Sequence, residues 1–187
     1  MDTARSETRF PQAQEIIEFW RQAGPAKWFA KDTEFDKEFL ERFGELHFAA
    51  ARRELEAWCQ QPESALALVI LLDQLPRNAF RGTGHMFATD PLAKLYAQRL
   101  LDAGFIMKLD PPLRVFAFLP FTHSENLADQ ELSLRMYREH AADSLSWGIE
   151  HLDIVKRFGR FPHRNASLAR ETTPEEQAYL DGGGFAG

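Results

Sequence analysis

A chain of 187 residues, 44% hydrophobic and 27% charged, is long enough to bury one sizeable core and too apolar to be disordered throughout. Its net charge of -6 disfavours the basic class that binds nucleic acid through phosphates, and its single cysteine, Cys59, excludes an internal disulfide framework and any CxxC zinc or redox pair. The longest apolar run, residues 65–72, falls far short of the ~20 residues that cross a bilayer, and the opening MDTARSETRF lacks the apolar stretch of a secretory signal. These features predict a cytoplasmic chain with no membrane or nucleic-acid partner, made of a flexible arm over 1–10 and one domain over 11–187.

The apolar positions Ile16, Ile17, Phe19 and Trp20 fall at near-helical spacing, which places a first helix over about 12–23, stopped by Gly24 and Pro25. After an aromatic connector at Trp28 and Phe29, Asp32 or Thr33 caps a second helix whose Phe35, Phe39, Leu40, Phe43 and Leu46 form one stripe. That helix is expected to reach Ala50 or beyond, with a further turn or two over 53–60 before Pro62. Residues 64–74 are almost continuously apolar and hold Leu and Ala rather than only β-branched side chains, which predicts a buried central helix ended or kinked by Pro76. RNAFRGTG then reads as a turn broken by Gly82 and Gly84, and Asp90 followed by Pro91 opens a helix running to Ala103.

Pro111 and Pro112 open a short apolar segment over 113–119, closed by Pro120. Leu127, Leu132, Leu134 and Tyr137 lie along the next amphipathic helix, and Ser144 caps one carrying Ile149, Leu152, Ile154 and Val155. Thr173 and Glu176 flank Pro174 as a capping box for a last helix that ends at Asp181, before three glycines. No stretch alternates with period two, so the expected fold class is all-α, with about eight or nine helices arranged as antiparallel pairs.

Three polar and aromatic blocks sit at helix ends. In the first, over 71–90, Asp73, Arg77, Asn78 and Arg81 admit two readings: an internal Asp–Arg pair that fixes the turn, or arginine forks and amides presented to a ligand. In the second, over 119–130, His123 with Glu125 could form an acid–base pair, because histidine titrates near neutrality and a carboxylate fixes its tautomer. The competing reading has Ser124 capping the helix and Glu125 favoured by its dipole. In the third, HLDIVKRFGRFPHRNASLAR over 151–170, Arg157, Arg160, Arg164, His163 and Asn165 either offer N–H donors to an anion or brace acidic groups such as Asp73, Glu125 or Asp129.

Other chemistries lack their motifs. His123-Ser124-Glu125 matches the H-x-E element of zinc deaminases, but the second cysteine that chemistry needs is missing. The six histidines show no HExxH and only the loose set His123, His151 and His163, so no metal centre is expected. With no P-loop, no GxGxxG and no GxSxG, no nucleotide cofactor and no nucleophile elbow are expected either.

The strings LLDQLPRNAFRGTG, FATD, FLPFTHSENLADQ, KRFGRFPHRNASLAR and TPEE, with Trp28-Phe29 and FDKEFLERFGELHFAA upstream, closely resemble the bacterial family described as domain of unknown function 924. The resemblance spans nearly the whole chain and implies stacked antiparallel helix pairs similar to tetratricopeptide-repeat proteins, without that repeat's consensus and with no established activity. Two departures stand out. Ala169 replaces a more usual glycine, and Arg52-Arg53 lies near another, a change expected to lengthen the helix there.

These residues support two functions. One is a pocket for a small anionic ligand, formed where the blocks meet, with the arginines as donors, His123 or His163 as acid–base and Glu125 or Asp73 as orienting carboxylate. The other is a module for a protein or peptide partner, with the motifs serving only as an internal network.

Overall fold

The computed structural model describes residues 10–187 and is built from helices and turns, with no strand among the described residues. The expected arm lies outside the described residues except for Phe10. In chain order the helices are α1 Pro11–Ala23, α2 Pro25–Trp28, α3 Thr33–Ala51, α4 Pro62–Ala79, α5 His85–Ala88, α6 Asp90–Asp102, α7 Leu119–Thr122, α8 Leu127–His140, α9 Leu145–Phe158 and α10 Pro174–Asp181. The one-turn helices α2, α5 and α7 are additional to those expected, while the turns expected over 53–60 and the apolar segment over 113–119 form 3-10 segments at Glu56–Gln60 and Pro111–Ala117.

Helix α4 is the axis of the molecule. A helix that is apolar all round must be enclosed, and residues 64–76 are buried without a break beneath α1, α3 and α6. Helices α1 and α3 meet through stacked rings, Phe19 lying 5.1 Å from Phe35 and 5.4 Å from Phe39. Trp20 meets the edge of Phe116 at 5.3 Å, which ties the short 3-10 segment Pro111–Ala117 to the same core. Asp32 caps α3 by accepting from the N–H groups of Glu34 and Phe35. The capping box at Thr173 and Glu176 is present at α10.

Pro76 neither ends α4 nor leaves its polar groups stranded. Proline cannot donate to the carbonyl four residues back, and here the Thr89 hydroxyl donates to that Leu72 carbonyl at 2.5 Å. The helix therefore continues to Ala79 and carries Arg77 and Asn78 on its last turn, where a loop was expected.

Two other caps differ from expectation. Asp90 is the first residue of α6, with Thr89 at the cap position and the Asp90 carboxylate committed to arginines. Asn126, not Ser124, caps α8 by accepting from Ala128 and Asp129, while the Ser124 hydroxyl donates to Asp129 at 2.6 Å. The buried face of α8 is correspondingly polar: Gln130 and Ser133 are enclosed beside Tyr137, whereas Leu127 is 44% exposed. Gln130 donates to the carbonyls of Thr122 and Ser124 at 2.6 Å each, which fastens the end of α7 onto α8.

The arginine pair at 52–53 does not lengthen α3. The chain turns at Arg53 with φ of 64°, and the Glu54 N–H returns to the Ala49 carbonyl at 3.0 Å. The same closure recurs at Ala169, with φ of 51° and the Arg170 N–H bonded to the Asn165 carbonyl at 2.8 Å. Both are left-handed backbone turns of the kind that favours glycine, the first at the end of α3. Among the described residues no helix is long and apolar enough to cross a membrane.

Candidate functional site

The last turns of α4, the start of α6, the end of α7 and the 159–170 turn converge on one buried polar centre. Asp73 and Arg77 lie one helical turn apart, so both side chains leave α4 in the same direction. The Asp73 carboxylate meets His123 Nδ1 at 2.8 Å and accepts from the Gln74 amide at 2.6 Å. Arg77 bonds the Asp73 carbonyl at 2.8 Å and grips Asp90 through both nitrogens of its fork, at 2.8 and 3.0 Å. Arg164 reaches the same Asp90 at 3.2 Å and donates to the His123 carbonyl at 2.9 Å. Its guanidinium lies 4.6 Å from the ring centres of both Phe87 and Phe161, a cation held between two aromatic faces.

Burial, reinforced by the neighbouring arginines, favours the neutral form of the histidines. Burial opposes ionisation of Asp73, but Arg77 and His123 outweigh it and hold the carboxyl well below the usual carboxylate range. Burial, helped by Arg77, lowers His123 against the opposing pull of Asp73. The same burial brings His151 down to about 4, with His123 as the next cause, and His163 down to about 3, with Arg164 next. Arg164 itself falls to about 10 through burial and the proximity of Arg77.

His151 stands beside the Asp73–His123 pair, and His163 is joined to His151 through Phe161 and Phe185. The rings of His123 and His151 are 6.4 Å apart, and His151 bonds the Trp147 carbonyl through Nδ1 at 2.8 Å. The tautomer this fixes leaves the His151 Nε2 as an acceptor. His163 Nδ1 and Arg164 Nε are buried with no hydrogen-bond partner among the described residues. Phe185, from the segment after α10, lies against His151 at 4.7 Å and His163 at 5.1 Å.

Other residues singled out from the sequence are placed elsewhere. Asn78 and Arg81 both bond Asp36 of α3, at 2.6 and 2.9 Å, and so fasten α3 to the end of α4. Arg160 pairs with the buried Glu176 at 2.6 and 2.8 Å, and Asn165 donates to the same carboxylate at 3.2 Å. Arg157 lies on the surface against Glu175 at 3.1 Å. Neither arginine reaches Asp73, Glu125 or Asp129, the last of which binds Lys94 at 2.6 Å.

Glu125 is not the partner of His123. Its carboxylate accepts from Arg170 at 2.8 and 3.0 Å and from the Phe161 N–H at 2.8 Å, which holds the third block against the second. Among the described residues no three His, Cys, Asp or Glu side chains converge in a way that could hold a metal ion.

Sequence reasoning missed Asp90 as a shared counter-ion, Arg170 as the partner of Glu125, and the aromatic residues Phe87 and Phe185. Asp90 carried a signal that pointed the wrong way, because Asp before Pro is also a helix start. Phe185 follows three glycines and shows no periodicity, so nothing local marks it.

Comparison with known proteins gives no activity to carry over. A solved structure of a protein of unknown function from Agrobacterium tumefaciens is similar at 52% identity and a TM-score of 0.90, covering 92% of this chain and 98% of that one. No curated protein matches. The family model for a bacterial protein of unknown function, DUF924, matches residues 16–184 and so takes in all three blocks. The chain belongs to the DUF924 family of bacterial proteins.

Proposed function

We propose that His123, oriented by Asp73, is the acid–base group of a pocket that takes a small anionic ligand. The observation that carries this reading is the 2.8 Å bond between His123 Nδ1 and a fully buried carboxylate. An acceptor at Nδ1 keeps the proton there and leaves Nε2 with its lone pair, so the ring can take a proton from a bound molecule and return it. The lowered His123 value keeps the ring in that neutral, basic form at pH 7. Arg164 Nε and His163 Nδ1, buried and without a hydrogen-bond partner among the described residues, would be the donors to the anion in this reading.

A thermal-shift and calorimetric screen of wild type and His123→Gln against inorganic phosphate, phosphate monoesters and dicarboxylates tests the reading. A ligand specific to the native state stabilises it by about 2.7 kcal/mol at a hundred times its dissociation constant. Binding by one class, weakened at least tenfold in His123→Gln, is the expected result. No binding by any class would overturn it.

A second reading is favoured by the arginines themselves. Arg77, Arg81, Arg157, Arg160 and Arg164 each have a carboxylate partner. In that reading the blocks are an internal network, and a TPR-like stack of helix pairs offers a concave face to a protein or peptide partner. It predicts that His123→Gln changes stability while no small anion binds.

A further inference from the structure

The segment after α10 is folded back over the histidines. Three glycines at 182–184 let it turn, Gly183 having φ of 81°, and a Cβ on Gly184 would stand 2.5 Å from the Tyr179 ring. The N–H groups of Gly182, Gly183 and Gly184 bond back to carbonyls of α10 at 3.1, 3.1 and 3.0 Å, and beyond them the Phe185 N–H donates to the Tyr179 hydroxyl at 2.9 Å. The Phe185 ring is thereby set among Trp147, His151 and His163, at 6.4, 4.7 and 5.1 Å, with interplanar angles of 77°, 62° and 75°. Its apolar support is the small cluster of Ile154, Val155 and Phe161. Gly187 closes over the outer side of His163, where a Cβ would lie 3.0 Å from the ring.

Three edge-to-face contacts form a socket for an aromatic ring. The occupant is attached by a glycine hinge, is only half-buried, and stops one histidine short of His123, since the His151 ring centre lies 4.7 Å from that of Phe185 and 6.4 Å from that of His123. We infer that the ring of Phe185 occupies an aromatic subsite of the proposed pocket, and that the glycine-hinged strap must lift to admit a ligand carrying both an aromatic ring and an anionic group. The ring would replace Phe185 against His151 and His163, and the anionic group would reach the Arg164 Nε and the His123 edge. A strap that fills the site with a side chain of the ligand's own class excludes water and smaller competitors until that class arrives. The ligand chemistry inferred here rests on the His123 pocket reading, whereas the ring socket does not.

The test uses phenol as a neutral ring, phenyl phosphate as ring plus anion, and inorganic phosphate as anion alone. Each is titrated by calorimetry into wild type, Phe185→Ala and Tyr179→Phe, with the ring-proton resonances of His151 and His163 followed in parallel. An apolar space vacated by one side chain binds a small aromatic molecule, so phenol is expected to bind Phe185→Ala at least tenfold more tightly than wild type and to shift both histidines. Tyr179→Phe keeps every ring but loses the hydroxyl that holds the strap, so it should bind phenol more tightly than wild type even if Phe185→Ala is poorly folded. Phenyl phosphate should exceed phenol in each protein. Equal phenol binding by all three proteins, or none by either variant, overturns the strap inference. Phenol binding with no gain from the phosphate group, and no binding of inorganic phosphate, leaves the ring socket standing and removes the anionic pocket instead.

Discussion

Arg164 bonds the carboxylate of Asp90, a residue 74 positions earlier in the chain, through Oδ2 at 3.2 Å, and Arg77 holds both oxygens of the same carboxylate at 2.8 and 3.0 Å. Asp90 thus bridges two buried cations at the point where α4, α6 and the 159–170 turn meet, and Arg77 also lies 3.2 Å from the Asp73 carboxylate. Asp90→Asn keeps the shape and removes the charge. Leaving buried charges without a partner is costly, so the variant should lose about 3 kcal/mol of stability by urea denaturation. A loss below about 1 kcal/mol would mean that Asp73 and Glu125 balance both arginines by themselves.

Acid should unfold the protein through its histidines before its carboxylates. His151 and His163 titrate near 4 and 3 in the folded chain, below the ordinary histidine value. Between those values and about 6.5 the unfolded chain binds more protons, so stability is complete above neutrality and falls as pH falls. Each histidine contributes a slope of up to about 1.4 kcal/mol per pH unit. Asp73 acts lower down: its contribution is present above about pH 4 and is lost as pH falls further. Melting curves from pH 4.5 to 8 should therefore steepen below 6.5, and His163→Gln should flatten them. A flat wild-type profile across that window would show that the histidines are not buried in the neutral form.

Thr89 compensates for Pro76, and the two should be energetically coupled. Thr89→Val leaves the buried Leu72 carbonyl without its side-chain donor, which should cost about 1–2 kcal/mol. In a Pro76→Ala background the backbone regains an N–H facing that carbonyl, and the same substitution should then cost less. A double-mutant cycle by chemical denaturation measures the difference, and strict additivity would refute the link.

Ala169 holds a left-handed conformation that strains any residue with a Cβ. Ala169→Gly should stabilise the fold by about 1 kcal/mol, and Ala169→Val should destabilise it by more, both seen as shifts in the urea midpoint at constant slope. Arg53→Gly should gain less, because it also forfeits the contact between Arg53 and Glu56. Destabilisation by Ala169→Gly would place the benefit of alanine in the unfolded chain instead.

The all-α class, the burial of 64–74, a cap at Asp32 or Thr33 and the capping box before α10 were legible because their causes lie within a turn or two of the residues concerned. Local reading failed where one residue type serves two purposes. Asp90 has the context of a helix cap and acts as a counter-ion, while Pro76 has the context of a helix end and is carried through by a hydroxyl from Thr89.

Composition and local pattern therefore determined by themselves that this chain is helical, where several of its helices start, and that its polar residues collect at three helix ends. Only the tertiary structure decided which of those residues meet. His123 could have been oriented by Glu125, two residues away, but is held by Asp73, 50 positions back, and Glu125 is left to Arg170, 45 positions ahead. Charge complementarity is satisfied equally well by either pairing on paper. The packing of α4 against the end of α7 brings one carboxylate within 2.8 Å of the imidazole, and that contact has no trace in the neighbouring sequence.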